Sequence, residues 1–287
     1  MSDSSESTNV DLQASGKAAA CSSSEIYFGK TVMLSILEKV EQKQALLANH
    51  WLRYLLRAIM AGALICLFVT FSLQVKADLG VEFNQALSSL FAAIAFSMAL
   101  VFIVFTNSEL LTSNFMYFTV GQHYRRIRLS NTIKVLAVCL IGNVLGCIIV
   151  ASMMWSAELL QQPFIAVLEN VLHTKTVASG PWKIFINAIF ANFFINAAIL
   201  VSMQIKEGLG KIIILMMGVT VFVYMGYEHV IANAGIYSLV VLFSPESSNL
   251  LLMSKALLYA LLGNFVGGGL AVGLFYAYLN DSRKKGE

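Results

Sequence analysis

Ser108-Glu109-Leu110-Leu111-Thr112-Ser113-Asn114 and Tyr227-Glu228-His229-Val230-Ile231-Ala232-Asn233 are the two stretches whose reading decides the fold. Each is a Glu followed five residues later by an Asn, and each lies deep in an apolar run. Ionisable and amide groups are costly in such a setting, so they mark places where the backbone is irregular and needs partners. Both stretches therefore read as helix breaks. Other matches flank them in the same order. Gly142-Asn143 in GNVLG and Gly263-Asn264 in GNFVGGG follow the breaks. An Ala-Ile-x-Ala frame precedes them, ending at Gly62 in one copy and Asn192 in the other. Three matched pairs at offsets of 119 to 130 residues imply a three-plus-three repeat. Three is odd, so the two halves run in opposite directions through a membrane, and such repeats place a permeation site near the midplane.

Composition agrees with a membrane setting. Of 287 residues, 58% are hydrophobic and 12% charged, against roughly a quarter charged in a soluble domain. A mean hydropathy of +0.75 leaves too little polar surface to cover a globule in water. Spans of roughly 20 apolar residues are expected at 54–75, 86–107, 135–157, 184–204, 211–240 and 253–279, giving an all-α polytopic membrane protein with six transmembrane helices. Arg125, Arg126, Arg128, Lys134, Lys206 and Lys211 fall in connections on one face, and Lys76, Lys175, Lys183 and Lys255 on the other. The positive-inside rule then puts both termini in the cytoplasm. The expected location is the inner (plasma) membrane. Residues 1–24 are Ser-rich with no apolar core and read as a disordered tail. Residues 25–50 read as an amphipathic helix lying on the membrane or on a neighbouring subunit. The transmembrane domain is 51–280, and 281–287 is a basic tail. The net charge of +3 gives no reason to expect nucleic acid. Cys21, Cys66, Cys139 and Cys147 have no metal-ligand spacing, and no cofactor is expected.

Glu109, Glu228 and His229 are the deepest ionisable groups. The two carboxylates either form a proton-transfer pair or accept backbone N–H groups at the breaks, and the second role is the one expected. Asn114 and Asn233 belong to the same structural breaks. His229 adjoins a break on the repeat axis and has a side chain that titrates near cellular pH. Asn192 places a polar group where the other half has only Gly62. Phe96 and Phe222, taken alone, read as packing residues. Lys175 would draw anions to a vestibule.

Together these residues resemble the formate/nitrite transporter family. The resemblance rests on NSELLTSN (107–114), GYEHVIAN (226–233) and GNFVGGG (263–269), with ANFFINA (191–197) and the Lys175 segment in support. It implies a homopentamer in the lipid bilayer, an aquaporin-like protomer with broken second and fifth helices, and one pore per subunit. It implies passage of small monovalent anions: formate or nitrite first, hydrosulfide or lactate as alternatives. Carried over by position, Phe96 and Phe222 become two apolar constrictions, and Thr112 sits on a mobile loop breaking the second span. His229 is then the central histidine, with Asn192 beside it and Lys175 in the outer vestibule. The anion is expected to be protonated near His229 and to cross by proton symport or, where His229 only biases the field, by channel-like flow. One departure stands out: Ile195-Asn196 occupies the place of a usual Val-Cys pair, which would add a second amide to the pore wall. An intramembrane enzyme is a poor rival, since the chain has no GxSxG, no HExxH and no pair of in-span Asp residues.

Overall fold

A computed structural model describes residues 29–82 and 84–281. The proposed tail 1–24, the first residues of the amphipathic segment and residues 282–287 lie outside the described residues. Helix α1 (Lys30–Asn49) buries Val32, Met33, Ile36, Leu37 and Val40. That one-turn spacing makes a single apolar stripe. The stripe packs on α2 (Trp51–Glu82) and α4 (Leu111–His123) of the same chain. The apolar stripe expected to face the membrane or a neighbouring subunit is thus buried against helices of its own chain.

Among the described residues, five helices are long and apolar enough to cross a membrane. They are α2, α3 (Gln85–Phe105), α5 (Leu129–Ser156), α7 (Pro181–Ser202) and the run Leu250–Leu279. The last begins as α10 (Leu250–Asn264) and continues through a π-helical stretch, Phe265–Leu274. The apolar run 211–240, expected as one span, is two shorter helices, α8 (Gly208–Tyr224) and α9 (Val230–Phe243). Likewise α3 stops at Phe105 and α4 restarts at Leu111. Asn107 (φ 52°) and Gly226 (φ 70°) stand just past the two helix ends in the left-handed region. Only Gly and, at some cost, Asn take that conformation readily, so both positions end a helix by local chemistry. Between α5 and α7 the chain forms α6 (Phe164–Thr176). Lys175 is therefore in the last turn of a helix, not in a loop.

The halves close by backbone contact. A Cβ at Gly146 would collide with the Ile59 carbonyl of α2, and one at Gly267 with the Ile189 carbonyl of α7. Small residues at these places let α2 approach α5, and α7 approach the Leu250–Leu279 helix, closely enough for the asparagines beyond to reach across.

Candidate functional site

Each break is held by an asparagine from another helix. Asn143 Nδ2 donates to the carbonyls of Ala58 and Glu109, both at 2.8 Å, and its Oδ1 accepts from Leu111 N at 2.9 Å. Asn264 does the same on the other side. Its Nδ2 donates to Ala188 O and Glu228 O, both at 2.8 Å, and Oδ1 accepts from Val230 N at 2.8 Å. The amide of Glu109 reaches Arg57 O at 3.1 Å, and that of Glu228 reaches Asn187 O at 3.5 Å. These bonds satisfy groups that a broken helix would leave orphaned.

The carboxylates have a different role from the one expected of them. Asn143 and Asn264 each accept the first backbone amide of the restarting helix, and both glutamates accept from side chains. Glu109 Oε2 accepts from Lys43 Nζ at 2.5 Å and Asn114 Nδ2 at 3.1 Å. Glu228 Oε2 accepts from Lys175 Nζ and Asn233 Nδ2, both at 2.7 Å. Asn114 and Asn233 lie in the first turns of α4 and α9, where a spacing of five turns them back onto the Glu. Both glutamates are buried, as such pairs require. Lys175 is consequently a counter-ion first. Lys39 stands beside Lys43 over the Tyr117 ring, and burial together with the Lys43 charge pushes its ammonium below the ordinary lysine value.

His229 caps α9: its Nδ1 accepts from Ala232 N at 3.1 Å. A nitrogen that accepts from an amide carries no proton, so the ring proton is on Nε2. Nε2 lies 2.9 Å from Thr112 Oγ1 and donates to it. Thr112 itself belongs to the first turn of α4, not to the break loop where the resemblance placed it, because Asn143 caps that helix at Leu111. Its carbonyl accepts from Asn192 Nδ2 at 3.1 Å and Asn196 Nδ2 at 3.2 Å. Asn192 also donates to Asn264 O at 2.6 Å. Both amides thus turn away from the cavities and towards α4 and Asn264. This corrects their placement in a pore wall.

Three cavities lie in series. On the α6 side, one of about 450 Å³ is lined by Lys76, Lys175, Lys183, Phe96, Phe222, Glu228 and His229 among others. On the α1 side, one of about 310 Å³ is lined by Lys39, Lys43, Arg57, Leu100 and Glu109 among others. Between them is a void of about 10 Å³, enclosed by Ile65, Phe96, Ala99, Leu100, Leu110, Ile195, Val219, Phe222 and His229. That is room for about one water. Phe96 and Phe222 meet edge to face at 6.1 Å, and Phe222 stacks on His229 at 6.0 Å. The two rings therefore form one barrier, not two. Leu100 and Leu110 close the void towards the α1 side.

Sequence reasoning grouped Glu109 with Asn114 and Glu228 with Asn233 at the two breaks, but set Asn192 beside His229 and did not pair His229 with Thr112. It noted the repeated Gly-Asn without assigning the clamp to Asn143 and Asn264. It missed Lys43, whose partner is 66 residues away and leaves no local signal.

Known proteins place this arrangement. The sequence profile described as formate/nitrite transporter matches residues 30–278. An uncharacterized transporter, YwcJ of Bacillus subtilis (strain 168), is 27% identical over 255 residues, covering 86% of this chain and 98% of the relative. The nitrite transporter NirC of Escherichia coli (strain K12) is 27% identical over 233 residues, covering 80% and 85%. Among solved structures, an FNT family ion channel superposes with a TM-score of 0.80 at 23% identity, over 86% of this chain and 98% of that one. A pentameric formate channel with formate bound gives 0.68 at 22% identity, over 79% and 96%. With the profile spanning both breaks, both clamps and the cavities between them, the chain belongs to the formate/nitrite transporter family.

Proposed function

We propose that this protein carries formate or nitrite through the interior of each subunit of a homopentamer, together with a proton. In this reading six membrane crossings form two inverted three-helix repeats, aquaporin-like in arrangement, with the second and fifth broken at Glu109 and Glu228. Both termini are cytoplasmic, in the inner membrane, so the α1 cavity faces the cytoplasm and the α6 cavity faces outward.

The observation that carries the reading is the small apolar void between two basic vestibules. Three lysines surround Glu228 in one vestibule, and Lys39, Lys43 and Arg57 accompany Glu109 in the other. Each vestibule holds more positive than negative charge and concentrates anions at its mouth. The void offers nothing of the kind. A bare charge there loses its water and gains aromatic and aliphatic walls with the single imidazole edge of His229, at a cost of several kcal/mol. A small acid that takes up its proton beside His229 enters without that penalty. The imidazole supplies a polar edge, and its Nε2 proton is already directed at Thr112. Nitrite and formate fit a void of this size better than lactate or other larger monocarboxylates, and hydrosulfide remains the alternative of similar bulk.

Purified protein in liposomes tests the reading. Internal pH and uptake of labelled formate or nitrite are followed together. One proton entering per anion is the expected result. Anion current with no matching proton movement would overturn proton coupling and leave a channel.

A further inference from the structure

Asn196 is the side chain in this network with no place in the reading so far. It is fully buried, its two amide hydrogens meet Asn192 O, Asn192 Oδ1 and Thr112 O, and its own Oδ1 has no partner. An unpaired buried carbonyl is destabilising, and an alkyl side chain of the same size would avoid it. The neighbourhood is nevertheless shaped around this amide: a Cβ at Gly268 would collide with the amide nitrogens of both Asn192 and Asn196.

We propose that Asn196 is a positioning residue for transport, acting through Thr112. Asn192 alone divides its amide between Thr112 O and Asn264 O. Asn196 adds a second donor to the Thr112 carbonyl and fixes the Oδ1 of Asn192 at 2.9 Å, so that Asn192 keeps its amide face towards α4. The first turn of α4 is then held from two sides: by Asn143 at Leu111 N and by the Asn192–Asn196 pair at Thr112 O. The Thr112 hydroxyl stays where His229 Nε2 reaches it. Without Asn196 the hydroxyl and the ring lose their register, and the polar edge of the void is no longer fixed. The proposal rests on the reading of His229 and Thr112 given above.

The test uses the full-length protein in liposomes, with labelled formate as the probe and uptake followed across pH. Asn196→Leu is compared with the parent, with Thr112→Ala, with His229→Asn and with the double variant Asn196→Leu/Thr112→Ala. The expected result is an intact pentamer with melting temperature close to the parent's and uptake about fivefold slower, the scale of one lost buried hydrogen bond. In the Thr112→Ala background, Asn196→Leu should cause no further loss, because the group it positions is gone. Multiplying losses in the double variant would make Asn196 a packing residue and overturn the proposal. Parental uptake by Asn196→Leu, alongside slowed Thr112→Ala and His229→Asn, overturns the role of Asn196 and leaves the site reading standing. Parental uptake by Thr112→Ala and His229→Asn overturns both. Should Asn196→Leu fail to assemble, Asn196→Ala removes the same donor without bulk and is read in the same way.

Discussion

The break before α4 and the break before α9 are built alike at their edges and unlike at their centres. At the edges the same groups recur: a left-handed residue ending the helix, a Glu buried against a Lys and an Asn, and a second Asn clamping the backbone with three hydrogen bonds. At the centres the chemistry divides. Leu110 stands before α4 where His229 stands before α9. Gly62 and Cys66 hold the places in α2 that Asn192 and Asn196 hold in α7. From side chains, the Thr112 carbonyl takes two amides, whereas the Ile231 carbonyl is approached by a distant thiol, Cys147 Sγ at 3.8 Å. The shared edges supply what any broken helix in a membrane needs. The unshared centres put one titratable ring on one side of one void, and the proposed coupling of an anion to a proton rests on that asymmetry.

Breaking a clamp should have the largest effect. Asn143→Ala and Asn264→Ala each remove three buried hydrogen bonds and leave backbone groups with no water to replace them. At ~1–3 kcal/mol per orphaned group, the loss is about 4 kcal/mol or more in either half. Thermal unfolding of the purified protein in detergent is the measure, and both variants should fall by similar amounts or fail to assemble. A tolerated alanine in one half would show that the two edges are alike in geometry only.

Next come the buried ion pairs. Lys43 and Lys175 have side chains only 14% and 16% exposed, and their glutamates 4% each. Lys43→Met or Lys175→Met strands a buried carboxylate and should cost about 3 kcal/mol; neutralising the partner as well, with Glu109→Gln or Glu228→Gln, should recover much of it. A double variant no more stable than the single would mean that the lysine contributes by its stem packing and not by its charge.

How far the sequence foretold this depends on the distance over which each interaction acts. The two breaks were legible, because a Glu and an Asn five residues apart in an apolar run mark a place where a helix restarts; the bond between the two side chains was not, since the glutamates were expected on backbone amides. The π-helical stretch was not, since Phe265–Leu274 has the hydropathy of any other span. Lys175 was readable as a cation but not as the partner of Glu228, because its helix lies in a segment with no membrane-length apolar run. The direction of Asn192 and Asn196 was misread for a related reason. Periodicity puts them on one face of α7, but which neighbour that face meets is set by Gly268 in another helix. Phe96 and Phe222 were assigned to separate barriers because linear order cannot show that two rings from α3 and α8 meet at 6.1 Å.

The smallest effect belongs to Cys147, and it tests the comparison at its weakest bond. Cys147 is buried and sits where α5 passes α2 and α9. Its thiol, a weak donor, points to Gly62 O at 3.3 Å and to Ile231 O at 3.8 Å. Ile231, unlike Thr112, has no hydroxyl to hold, so nothing at the void depends on where its carbonyl lies. Cys147→Ala should therefore cost only the packing of one sulfur, about 1 kcal/mol, and leave labelled formate uptake within about twofold of the parent. Cys147→Ser keeps the size and strengthens the donor, so it should restore stability without raising the rate. The contrast with Asn196 is the point of the measurement, because the two side chains approach corresponding carbonyls, Cys147 from α5 and Asn196 from α7. A rate that collapsed in Cys147→Ala with the folded protein intact would show that α9 must be held as firmly as α4. The centre of the molecule would then be more symmetric in function than it is in chemistry.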